Sequence, residues 1–336
     1  MSRGARWAAL AVGLLVLATA FPFYWTVVAS LTPEQHAEIL TAAGKDSILV
    51  EAKTPDRQRA EIVDADVVFG RVSPEIFTHA RRLRYYHCLG AGVDSILSPE
   101  LVESDVILAS EKGEVGIHLA EHAFALLLAL TRGLHTALRE PDFRLREPIR
   151  REQRELWEQT MGIVGFGGTG RAVARRALGF GMKVLAVDIE PVPPEPGVTL
   201  WKGERLHDLL AASDVVVIAL PLTKATHHLF TRDLFRRMQR HAILINVTRG
   251  EIVYGDDLLK ALEEGLIWGA GLDVTDPEPL PAGHPLWRHP RVVVTPHTAG
   301  GSPRRAGRAI ATLCENLRRL GDGRPLIALI DKRKGY

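Results

Sequence analysis

The sequence predicts an α/β chain built from two doubly wound parallel sheets, on three observations. From residue 26 onward, short runs of valine, isoleucine and leucine alternate with helical stretches, which is the pattern of repeated βαβ units. Many of those runs are apolar throughout, as parallel strands covered on both faces require. The chain has 336 residues, about twice the usual domain length, so two domains are expected.

Composition removes several classes of function. Lysine plus arginine is 42 against 40 for aspartate plus glutamate, so there is no basic footprint for nucleic acid. Hydrophobic residues at 46% and charged residues at 24% describe a folded core and exclude a disordered chain. Cys88 and Cys314 are the only cysteines, too few for a disulfide framework or a four-cysteine zinc site. No metal site is expected. A single stretch has bilayer length, which excludes a multi-pass membrane protein.

That stretch is N-terminal. Arg3 and Arg6 precede a run without charge from residue 7 to 33. Ala18-Thr19-Ala20 fits the small-x-small rule of a signal cleavage site. Residues 1–24 read as a signal peptide, as a membrane anchor through residues 7–24, or as a translation start set too far upstream. The run absorbs an expected strand, and a leading positive charge would send the rest out of the cytoplasm. A cytoplasmic chain is expected, with a membrane anchor through residues 7–24 as the alternative.

Strands are expected at 26–29, 47–51, 65–69, 83–88 and 106–109, then at 161–164, 183–188, 214–220, 242–247, 268–273 and 291–295. A long helix over 117–138 interrupts the rhythm, and its leucine-rich middle is apolar almost all round, so it should be buried. The charged stretch 139–159 reads as an exposed connection. Ser302 and Pro303 can start a last helix. Ala306, Ile310, Leu313, Leu317 and Leu320 recur along it at helical spacing, with Cys314 beside that stripe and Gly321 as its end.

One turn has the grammar of a dinucleotide site. The strand Met161-Gly162-Ile163-Val164 runs into Gly165-Phe166-Gly167-Gly168-Thr169-Gly170 and then into a helix, which is G-x-G-x-x-G in its proper context. Gly165 allows the tight turn, Gly167 lets backbone approach a pyrophosphate, and Gly170 lets helix and strand pack. The helix N-terminus faces the phosphates. The next strand ends in Asp188, which can hold both adenosine ribose hydroxyls and repel a 2′-phosphate. No arginine stands beside it in the sequence, so NAD is the expected cofactor.

Chemistry is expected at the later strand ends, where doubly wound sheets place ligands. Arg249 lies just past one apolar strand, Asp273, Asp276 and Glu278 past the next, and His297 past the last. Loss of a hydride from a hydroxyl needs a base for the proton, and histidine suits that task. A neighbouring carboxylate orients such a histidine and favours its charged form. An arginine can fork onto a substrate carboxylate.

With these motifs in order, the sequence resembles the D-isomer-specific 2-hydroxyacid dehydrogenase family. The resemblance runs from about Thr26 to Tyr336. It is carried by Leu89-Gly90-Ala91-Gly92-Val93-Asp94, Ala120-Glu121-His122-Ala123, Val164-Gly165-Phe166-Gly167, Leu220-Pro221-Leu222-Thr223, Asn246-Val247-Thr248-Arg249-Gly250, Leu272-Asp273-Val274 and Thr295-Pro296-His297. The closing stretch 330–336 looks like family tails. The resemblance implies NAD-dependent hydride transfer at C2 of a small 2-hydroxy or 2-oxo acid, glyoxylate-, hydroxypyruvate- or phosphoglycerate-like. It implies Arg249 as anchor for the substrate carboxylate and carbonyl, His297 as acid/base and Glu278 as its partner. Asp273 would meet the nicotinamide amide. Gly168 and Thr169 would bind pyrophosphate, with Pro221, Thr226, Val247, Thr248, Arg249, His297 and Gly300 lining the cofactor. The amides of Ala91 and Gly92 would hold the substrate carboxylate, with Arg71 as a further substrate candidate.

The family fold implies a flavodoxin-like substrate domain of residues 25–115 plus 303–336 and an inserted Rossmann NAD-binding domain of residues 116–302. It also implies a homodimer with the 117–138 helix in its interface. Two features depart from the family: the apolar N-terminal extension, and Glu158-Gln159 where a glycine-lysine pair usually precedes the strand. A non-enzymatic relative that senses NAD(H) as a transcriptional corepressor is the alternative, since such relatives can keep Arg249, Glu278 and His297. Glu278 argues against the formate dehydrogenase branch, which carries glutamine there. The lack of a regulatory extension after Tyr336 argues against the long phosphoglycerate dehydrogenases.

Overall fold

The computed structural model describes residues 24–27, 31–44 and 46–336. Residues 1–23 lie outside the described residues, and with them nearly all of the apolar run read as a signal, an anchor or a misplaced start. The chain forms two compact units, one running up to Glu114 and resuming with Pro303–Tyr336, the other Val115–Ser302.

The first unit runs β1 (Tyr24–Val27), α1 (Pro33–Ala43), β2 (Ile48–Glu51), α2 (Pro55–Glu61), β3 (Val67–Gly70), α3 (Pro74–Phe77), β4 (Tyr85–Cys88), α4 (Pro99–Glu103) and β5 (Ile107–Ser110). Its strands are parallel in the order β2-β1-β3-β4-β5, the flavodoxin-like winding. Each of the helices α1–α4 starts with a proline behind a hydroxyl cap, at Thr32, Thr54, Ser73 and Ser98. The hydroxyl takes one orphan amide, and proline brings none of its own.

The second unit runs α5 (Gly116–Thr131), α6 (Leu134–Arg139), α7 (Arg146–Glu152), β6 (Thr160–Val164), α8 (Gly168–Gly179), β7 (Lys183–Asp188), β8 (Val198–Lys202), α9 (Leu206–Ala212), β9 (Val215–Ile218), α10 (Arg232–Phe235), β10 (Ile243–Asn246), α11 (Gly255–Glu263), β11 (Gly269–Leu272) and β12 (Val292–Val294). The strand order is β12-β11-β10-β9-β6-β7-β8, all parallel. Counted from β6 this is the Rossmann winding, which reverses between β6 and β9. Alternate strand residues feed two separate cores. Val215 and Val217 join one, Val216 and Ile218 the other, so both faces are covered. The chain then returns to the first unit through α12 (Arg305–Asp322) and lays Ala328–Ile330 beside β5.

Several expected boundaries move. The first strand is Tyr24–Val27, two residues earlier than expected. Strand β8 was not anticipated, because its residues are only half-buried or exposed and so form no apolar run. The long helix is broken between α5 and α6 at Gly133, whose φ of 71° suits glycine. The last helix begins at Arg305 rather than Pro303, because the chain is still crossing between units at residues 302 and 303. It ends at Gly323, φ 66°, rather than at Gly321. Cys314 is fully buried, as its place beside the apolar stripe implied. No helix among the described residues is long and apolar enough to cross a membrane.

Candidate active site

The nucleotide end is built where the winding reverses. After β6 the chain turns at Gly165, φ 94°, where a Cβ would come within 2.7 Å of the Ala219 carbonyl oxygen. A Cβ at Gly170 would fall on the Gly165 carbonyl oxygen, whereas one at Gly167 would meet nothing within 4 Å. So Gly165 and Gly170 serve the turn and the helix–strand contact, while Gly167 borders open space. Gly168 and Thr169 open α8, whose N-terminus has no side-chain cap. Uncapped amides at a helix N-terminus suit a phosphate.

Asp188 closes β7. Its Oδ2 accepts from the Phe166 amide at 2.7 Å and its Oδ1 from the Glu190 amide at 2.9 Å. One feature was not legible beside it in the sequence. The Arg171 guanidinium lies 4.8 Å from the centre of the Phe166 ring, so an arginine does reach this corner, from α8. Glu195 engages it at 2.9 Å and Arg175 at 2.8 Å.

Two more turns border the same sheet edge. Past β9, the Thr226 hydroxyl donates to the Pro221 carbonyl at 2.7 Å and accepts the Thr223 amide at 2.8 Å. Past β10, buried Asn246 shapes the turn. Its amide donates to the Arg249 carbonyl at 2.8 Å, and its carbonyl accepts the Thr248 amide at 3.2 Å. Val247 is buried, and Arg249, half-buried, donates from Nη1 to the Thr248 carbonyl at 2.8 Å.

The three carboxylates past β11 have separate partners. Glu278 takes His297, whose Nδ1 donates to Oε1 at 2.5 Å. Asp276 takes His228 Nε2 at 2.8 Å instead. The Asp273 side chain is fully enclosed. It accepts from the Thr295 hydroxyl at 2.6 Å and from the amides of Thr298 and Ala299 at 2.9 and 2.8 Å. Burial alone would raise the Asp273 carboxyl, but hydrogen bonds from His122, Thr295 and the amides of Ala299 and Thr298 outweigh it and hold the pKa down to about 2. The His297 side chain is 47% exposed, open to a reactant. Because Nδ1 is committed to the carboxylate, Nε2 is the atom left to exchange a proton.

Residues 124–299 match the family description "D-isomer specific 2-hydroxyacid dehydrogenase, NAD binding domain". The chain is 38% identical over 253 residues to the glyoxylate reductase of Korarchaeum cryptofilum, covering 73% of this chain and 75% of that protein. It belongs to the D-isomer specific 2-hydroxyacid dehydrogenase family. It is also 32% identical to glyoxylate/hydroxypyruvate reductase A of Photorhabdus laumondii, covering 78% of this chain and 84% of that one. Among solved structures it is similar to the NADPH-dependent glyoxylate/hydroxypyruvate reductase of Sinorhizobium meliloti in complex with NADP and sulfate. That likeness has 28% identity and a TM-score of 0.77, and covers 94% of this chain and all of that one.

As a dehydrogenase of this family, the chain is an oxidoreductase that moves a hydride between a nicotinamide cofactor and a 2-hydroxy or 2-oxo acid. The second unit fits such a cofactor: a cradle opens at Gly167, helix amides stand ready for phosphate, and a carboxylate ends the next strand. The Asp273 carboxylate, expected at the nicotinamide amide, accepts the Thr298 and Ala299 amides of the loop that bears His297. Gly300 follows on that same loop. In the first unit, Arg71 Nη2 donates to the Gly92 carbonyl at 2.7 Å, so it braces the loop of Ala91 and Gly92. Among the described residues, no group of three or more histidine, cysteine, aspartate or glutamate side chains could hold a metal ion. The sequence reading missed the roles of Asn246, Glu195 and His122. His122 and Asn246 stood in recognisable motifs, but nothing in those motifs shows what their side chains reach.

Proposed function

We propose that this chain is an NAD-dependent reductase of small 2-oxo acids, of glyoxylate or hydroxypyruvate size, working as a cytoplasmic homodimer. The 2.5 Å bond from His297 Nδ1 to Glu278 Oε1 carries the reading. It holds one ring nitrogen and leaves the other to serve a substrate oxygen. A bound nicotinamide supplies the hydride. Glu278 fixes the imidazole ring by accepting from Nδ1, and His297 Nε2 gives its proton to the substrate oxygen. Arg249 anchors the carboxylate and polarises the carbonyl. On the first unit, the amides of Ala91 and Gly92 are assigned to the substrate carboxylate, with Arg71 bracing them.

The uncapped start of α8 at Gly168 and Thr169 would hold the pyrophosphate. Thr226, Pro221, the Val247–Arg249 turn and Gly300 would line the remainder. Asp188 supports NAD over NADP although the Sinorhizobium meliloti relative holds NADP, since a 2′-phosphate would face a carboxylate. Glu195 strengthens the preference by occupying Arg171 and Arg175. The homodimer is supported by exposed apolar side chains around α5, α6 and the segment that follows them, Ile117, Leu134, Leu138, Phe143, Trp157 and Phe180 among them. A panel of glyoxylate, hydroxypyruvate, pyruvate and bulkier 2-oxo acids with NADH or NADPH tests the reading. Rapid turnover of a small oxo acid with NADH is expected. NADH binding without turnover of any of them would favour the corepressor-like alternative.

A further inference from the structure

His297 stands in a strained place. Its φ is 54°, in the left-handed region that residues other than glycine rarely adopt. Such a backbone persists only where its surroundings fix it. Here the fixing group is Asp273, in both main chain and side chain. The Asp273 carbonyl accepts the His297 amide at 2.8 Å. The carboxylate accepts the next two amides of the loop, Thr298 and Ala299, at 2.9 and 2.8 Å.

A chain of hydrogen bonds enters this carboxylate from α5. His122 Nε2 lies 2.8 Å from the Thr295 hydroxyl oxygen and 3.3 Å from Asp273 Oδ1. The directions follow from proton counting. An ionised carboxylate can only accept, so the one hydroxyl proton of Thr295 goes to Asp273 at 2.6 Å. The hydroxyl oxygen must then accept from His122, and Nε2 carries a proton. The chain therefore runs from His122 through Thr295 to Asp273, each link polarising the next.

We propose that His122 is a positioning residue for the reaction: through Thr295 and Asp273 it holds the 295–299 loop that presents His297. This rests on His297 being the proton donor. His122 sits on a packed helix, and Thr295 directly follows β12. The loop is thus pinned to two regular elements, which makes a reacting side chain more precise than a free loop does.

The test compares His122→Leu, which removes the donor, with His122→Gln, whose amide nitrogen can stand near the place of Nε2. His122→Leu is expected to lower kcat for 2-oxo acid reduction about tenfold or more, the scale of a misplaced reacting group. NADH affinity by fluorescence should stay within about twofold, since the nucleotide turn lies elsewhere. Hydrogen exchange at the Thr298 and Ala299 amides should quicken, and His122→Gln should restore most of both losses. A folded His122→Leu variant with wild-type kcat and unchanged exchange would overturn the proposal. If that variant does not fold, Thr295→Val cuts the same chain one link later and is read by the same outcomes. If the wild type reduces no 2-oxo acid at all, the role given to His297 fails. Amide exchange then still decides whether His122 orders the loop.

Discussion

Glu158 takes a left-handed backbone position, φ 62°, in the turn that leads into β6. The resemblance marked this as a departure, with glutamate where the family usually carries glycine, and the backbone angle gives the physical reason for that glycine. Glu158→Gly should raise stability by about 1 kcal/mol through relief of that strain, read as a higher urea midpoint at unchanged slope. At the ribose corner, Asp188→Ala should narrow the preference for NADH over NADPH in kcat/KM by removing repulsion of the 2′-phosphate. Equal use of both cofactors by the wild type would count against the Asp188 assignment. At this scale the sequence is legible where chemistry rides on spacing: Glu278 follows Asp273 by five residues and His297 lies just past the next strand. It is silent where partners are brought together only by folding, as with Glu195 and Arg171 or His122 and Asp273.

The loop after β12 shows how an element can be held by one buried charge. Asp273 is depressed to about 2, below an ordinary aspartate near 3.9. A depressed carboxylate stabilises the fold fully above its unfolded pKa, and that contribution is lost as pH falls through the folded value. Asp273→Asn should therefore cost about 2 kcal/mol or more near neutral pH. In urea melts the gap from wild type should begin to close below about pH 4 and be nearly gone near pH 2. A gap that stayed constant through that window would mean the carboxylate charge does not hold the loop. Elements that are apolar throughout, such as β9, or apolar up to the last residue, such as β10, were legible because burial on both faces leaves an unbroken run. Edge strand β8 was not, since its residues stay half-exposed. The Ser302-Pro303 signal failed because local capping chemistry yielded to the passage of the chain from one unit to the other.

For the whole molecule, each unit carries its own parallel sheet, and the pairing of acid and carboxylate lies entirely within the second. The proposed dimer places the α5–α6 surface in its interface. Leu138 is 82% exposed in the single chain, so Leu138→Glu should yield a folded monomer by sedimentation, whereas an unchanged dimer would move the interface elsewhere. The most direct test of the account is steady-state reduction of glyoxylate or hydroxypyruvate by NADH in wild type, Glu278→Gln and His297→Ala. The expected result is turnover by the wild type and a loss of about a hundredfold or more in His297→Ala at every pH. Glu278→Gln should keep part of the activity, because the glutamine carbonyl can still accept from His297 Nδ1 but carries no charge. NADH binding should survive in both variants. Activity near wild type in His297→Ala or in Glu278→Gln would contradict the account.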